Sequence, residues 1–123
     1  MMRHLRRMLE ISMGEVAVPD GSIPGLRFII RVLFLHVFTV WPPSRVRLPK
    51  DWLPPAKHGF AVEKDLLLQA VDRFVQRLDQ QPEQQTVHTL QGPLTLRSWS
   101  RVPGVHFNHH SRQFRLVWLL LFR

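Results

Sequence analysis

Apolar residues recur through residues 63–81 at the spacing of one helical face. Leu66, Leu67, Ala70, Val71, Phe74, Val75 and Leu78 form one stripe, with Lys64, Asp65, Asp72, Arg73, Gln76 and Arg77 elsewhere. Glu63 and Asp65 open the segment, where a helix dipole favours anions, and Pro82 closes it. The spacing predicts a helix over 62–81. The same periodicity predicts a helix over 1–16, with His4, Leu5, Met8, Leu9, Ile11 and Ser12 in register until the turn residues Pro19, Asp20 and Gly21. A third helix is expected over 23–40, starting near Ser22 or Pro24. Its apolar positions lie on most faces, which predicts packing on two sides.

Between these helices the pattern changes character. Pro42, Pro43, Pro49, Pro54 and Pro55 stud the stretch from Trp41 to Gly59, a density that prevents helix and sheet alike. A loop this long inside one domain suits a crossover that travels the length of a bundle, anchored by Trp41 and Trp52. After Pro82 the run Thr86-Val87-His88-Thr89-Leu90 alternates, predicting an extended loop or a short strand. The last helix is expected over 97–122, with a kink or fresh start at Pro103-Gly104.

That last helix carries the chemistry. Val105-His106-Phe107-Asn108-His109-His110 places His106 and His110 four residues apart, about 40° from each other around a helix axis, and Gln113 falls on the same stripe. Two imidazoles so spaced can hold one divalent cation from a rigid helix, and a third ligand must come from elsewhere. His4, on the apolar side of the first helix, is the leading candidate. The bland alternative is chance clustering, since the chain holds seven histidines.

Taken with the N-terminal segment Met2-Arg3-His4-Leu5, the run Gly104-Val105-His106-Phe107-Asn108-His109-His110-Ser111-Arg112-Gln113-Phe114 resembles the DinB/YfiT-like superfamily of metal-dependent enzymes, closest to an uncharacterised bacterial branch. The resemblance implies an all-α fold: a four-helix bundle of up-up-down-down type with a long proline-rich crossover. It also implies one divalent metal held by three histidines. His4 then corresponds to the first ligand, His106 and His110 to the pair, and Gln113 to a trailing glutamine. His109 corresponds to an extra histidine pointing off the metal axis, and it and Gln113 become the candidates for supporting the ligands from behind. Gly92-Pro93-Leu94-Thr95 looks like the family's lead-in to the final helix. Family members carry a complete helix ahead of the one bearing the first histidine, so the resemblance implies an N-terminally incomplete domain with its first helix missing.

Composition narrows the chemistry. With 123 residues the chain is expected to be a single domain, 1–123, and its apolar fraction is sufficient for a core. The absence of cysteine excludes disulfides and thiolate ligands, so a metal must sit on nitrogen and oxygen donors, zinc or nickel foremost. The net charge of +8 is carried by arginines scattered singly apart from Arg6-Arg7, without a nucleic-acid motif, and no specific nucleic-acid partner is expected. No secretory leader is legible. The most apolar stretch, 28–41, is interrupted by Arg31 and His36 and falls short of the roughly 20 residues a membrane span needs, so a cytoplasmic location is expected.

Two functions compete. One is a metal-dependent hydrolase or thiol-transferase acting on an unassigned small molecule. No general base is evident, because Glu10 lies well around the helix from His4. The other is a non-catalytic truncated relative, an interaction module or degenerate gene product, self-associating through the apolar groove that an absent helix leaves open.

Overall fold

The computed structural model describes residues 2–37 and 57–113, without the side chains of Phe34, Pro103, His109, Ser111, Arg112 and Gln113. The expected proline-rich crossover and the end of the last expected helix lie outside the described residues. What is described is mostly helical, built around α1 (Met2–Ser12), α2 (Pro24–Val32) with a π-helical turn (Leu33–Val37), and α3 (Phe60–Gln80). A hairpin of β1 (Gln85–His88) and β2 (Gly92–Thr95) follows, then the single turn α4 (Leu96–Trp99) and α5 (Arg101–Gln113).

The organising element is α1. Its positions 5, 8 and 11 feed one apolar cluster, where Leu5, Met8 and Ile11 meet Leu35, Leu94, Trp99 and Val102. Its position 9 and Met13 just past its end feed a second, where Leu9 and Met13 meet Ala70, Phe74 and Leu96. A helix buried on two sides in this way separates α3 from the hairpin and α5, and supplies much of the core to both. On the α3 side, Arg6 bridges Glu10 at 2.8 Å and the buried Glu63 at 3.4 Å.

The expected helix over 1–16 stops at Ser12 because Gly14 takes φ +75°. Gly14 N–H donates to Ile11 O (3.0 Å) and Glu15 N–H to Glu10 O (2.9 Å), the bonds of a Schellman cap. Thr86 Oγ1 and Arg77 Nη1 then donate to the carbonyls of Ser12 (2.8 Å) and Met13 (2.7 Å). The end of α1 is thereby welded to both β1 and α3.

Three expectations need correction in part or in whole. The all-α expectation holds in its main part, the described residues being mostly helical, but a small sheet is added: β1 and β2 pair antiparallel, with Thr86 opposite Leu94 and His88 opposite Gly92. Of the alternating residues 86–90, Thr86 to His88 enter the ladder and Thr89 and Leu90 turn, because Leu94 faces the core and the buried His88 closes the three-residue loop, its Nδ1 accepting from Leu90 N–H (3.1 Å) and Gln91 N–H (3.2 Å). The break expected at Pro103-Gly104 falls earlier, at Ser100, which puts Pro103 in the first turn of α5, where its missing N–H costs no helical bond. The short α4 is capped by Thr95, whose Oγ1 accepts from Ser98 N–H at 3.2 Å.

The third correction concerns α2, which is not packed on two sides. Leu26, Phe28 and Ile29 are exposed, with Phe28 69% exposed, while Arg27, Ile30, Arg31 and Val32 are half-buried. Arg31 donates to the carbonyls of Gln91 (2.7 Å) and Pro93 (2.9 Å). Arg27 lies so close to Gly92 that an added Cβ there would approach its Nη1 to 3.2 Å. The guanidinium bonds to the hairpin orient this helix, and they turn part of its apolar surface out. No described helix is long and apolar enough to cross a membrane.

Candidate metal centre

His4 stands in the first full turn of α1 and is 7% exposed. Arg6, two residues on and so about 200° around the axis, points to α3, leaving His4 to face α5. The Arg6–Glu10 part of that anchor is readable from its i,i+4 spacing. Glu63, contributed by another helix, is not.

On α5, His106 and His110 lie one turn apart, as their spacing predicts, with His106 buried and His110 half-buried. The three rings meet through their Nε2 atoms. His4 Nε2 lies 2.7 Å from His106 Nε2, and His106 Nε2 lies 2.9 Å from His110 Nε2. Ring centroids are 4.6, 4.7 and 5.8 Å apart, and the three ligating atoms fall within 4.8 Å of one another. All three sequence-nominated ligands are thus brought together. The side chains of His109 and Gln113, the nominated supporting residues, lie outside the described residues.

Electrostatics keep His4 neutral and therefore able to ligate. Burial, the neighbouring His110 and the amino terminus together lower the His4 pKa from 6.5 to about 4. At neutral pH its imidazole carries a lone pair rather than a second proton. The donor set also fits a cation sterically. Tetrahedral zinc with Zn–N bonds of about 2.0–2.1 Å sets its nitrogens about 3.3 Å apart, so the His4–His106 and His106–His110 pairs, at 2.7 and 2.9 Å, need to open by about half an ångström. A neutral imidazole has one N–H, so three mutually facing Nε2 atoms cannot all be well satisfied by bonding to one another, whereas a cation accepts all three lone pairs. Among the described residues His4 Nδ1 is buried without a hydrogen-bond partner, so the usual orienting contact behind a ligating ring is not supplied at that position.

A third buried histidine, His88, is one the sequence did not single out. His88 is 5% exposed, packs on Trp99 with ring centroids 5.0 Å apart, and has its pKa lowered to about 4 by burial. Its role is to close the hairpin loop. The alternation around it hinted at a strand but gave no sign of which face is covered.

No family model matches the chain, and neither does any curated protein or solved structure.

Proposed function

We propose that the chain binds one divalent cation, zinc or nickel foremost, through His4, His106 and His110, and that the site is catalytic in the manner of DinB/YfiT-like enzymes. The observation that carries this reading is the convergence of three Nε2 atoms from two helices on one point. Three protein ligands leave at least one coordination position open, as in catalytic rather than structural zinc sites. Because all three ligands are neutral, the full charge of the cation stays uncompensated, and an anionic group from a small-molecule substrate is favoured in the open position. A bound cation supplies Lewis-acid polarisation and a lowered pKa for coordinated water or thiol, which suits hydrolysis or thiol transfer. The chain's own contribution is to supply the three rings from α1 and α5, exclude bulk water from His4 and His106, and keep His4 unprotonated.

Cobalt(II) substitution tests this. The loaded chain is expected to show visible ligand-field bands of a four- or five-coordinate nitrogen site that shift on adding a simple thiolate such as 2-mercaptoethanol. Bands that do not respond to thiolate, acetate or pH would mark a closed site and remove the catalytic reading.

A second reading, a non-catalytic interaction module, is favoured by the outward apolar side of α2. Leu26, Phe28 and Ile29 form an exposed surface that a second copy of the chain can cover. Sedimentation at rising protein concentration, for the wild type and for Phe28→Ser, tests it. A wild type that stays monomeric throughout contradicts it.

A further inference from the structure

Two of the three converging histidines lie on a helix with little apolar anchorage. Among the described side chains of α5 only Val102 and His106 are buried, and Val102 sits in the first turn, in the cluster with Leu35 and Trp99. Beyond it, Phe107 packs on that cluster from a half-buried position, and His106 and His110 meet the ring of His4, the first tilted and the second edge-on. Gly104 weakens the helix from within, and nothing lies within 4 Å of where its Cβ would be. The later turns of α5 therefore depend heavily on what happens between three imidazoles.

Resting on the metal reading above, we infer that cation occupancy governs the docking of the second half of α5 on α1. Two ligands belong to α5 and one to α1, so a cation among them joins the helices by directional bonds. Without it, the described links are the packing of Val102 and half-buried Phe107 on the α1 cluster and imidazole contacts that depend on a particular proton arrangement. With the cation bound, residues 106–113 are held against α1. Without it they detach, while Val102 and α4 stay in the core. The site thus assembles on loading rather than standing preformed, and the coupling runs both ways: whatever loosens α5 lowers cation affinity.

Amide hydrogen exchange on the full chain at neutral pH, with excess zinc and with chelator, tests the inference, with zinc content measured in the same samples by native mass spectrometry. Zinc is expected to slow exchange at residues 106–113 at least tenfold, and by a larger factor than in α3. In His4→Ala, which keeps the pair on α5 but loses the link to α1, saturating zinc should slow the same amides no more than threefold. As the reciprocal arm, Phe107→Ala, which removes packing and no ligand, should weaken zinc binding at least threefold. If zinc binds and residues 106–113 are as protected without it as α3 is, this inference falls and the metal reading stands. If the wild type binds no zinc, both fall.

Discussion

The two helices that bring the histidines together are built on opposite principles. In α1, His4 shares the helix with Leu5, Met8, Leu9, Ile11 and Ser12, all buried, and the far end is closed by Gly14 and tied to β1 and α3. In α5, the described side chains give Val102 and His106 as the buried residues, and the remainder is polar or half-exposed. The backbone under His4 is placed by hydrophobic burial, whereas His106 and His110 are placed relative to each other by helical geometry and relative to His4 by Val102, half-buried Phe107 and the contacts of their own rings. One ligand comes from a rigid frame, and the pair comes from an element whose position responds to the site.

Substitutions should separate these two modes. The largest effect is expected in the core of α1. Ile11→Ala, at a side chain 1% exposed, should cost about 2–5 kcal/mol of unfolding free energy in denaturant titration. Phe107→Ala, from half-buried α5, should cost less than half as much, and equal losses would erase the contrast. Gly14→Ala comes next, at about 1–2 kcal/mol, because it forces a side chain into φ +75° with its Cβ 3.2 Å from Thr86 Cγ2. An undiminished midpoint would mean that the cap does not hold the end of α1.

A smaller effect, visible with pH, belongs to the hairpin. The His88 pKa is about 4 in the fold and 6.5 when unperturbed. Between these values the unfolded chain binds a proton that the folded chain does not, so the stability linked to His88 is complete above pH 6.5 and declines as pH falls toward 4. The stability of His88→Gln should be lower at neutral pH, where the loop loses its acceptor geometry, and should fall less steeply below pH 6.5. Parallel wild-type and variant pH curves would show that His88 does not contribute.

How much of this was legible follows from where each signal resides. The 62–81 helix was readable to within two residues at either end, because an apolar stripe with acidic and proline boundaries is a local property. The His106–His110 pair was readable for the same reason. The orientation of α2 was not, since it depends on Arg27 and Arg31 meeting the hairpin around Gln91, Gly92 and Pro93, some sixty residues away. The hairpin itself was half-readable: alternation gave extended backbone, but pairing needed the turn closed by His88 and the cover provided by α1. Neither the burial of Glu63 nor its bridge to Arg6 leaves a trace in local pattern, although that bridge holds the α3 side of the helix that carries His4.

The central claim is that three imidazoles from these unlike helices hold one cation, and metal stoichiometry tests it most directly. Equilibrium dialysis against zinc, followed by elemental mass spectrometry, should give one zinc per wild-type chain. His4→Ala should bind about 10–100-fold more weakly, the order expected when a site loses supporting interactions or more. The double variant His106→Ala/His110→Ala should bind none above background, and His109→Ala should match the wild type. A wild type that takes up no more zinc than the double variant, or a His109→Ala that loses the metal while His106→Ala keeps it, would contradict the account.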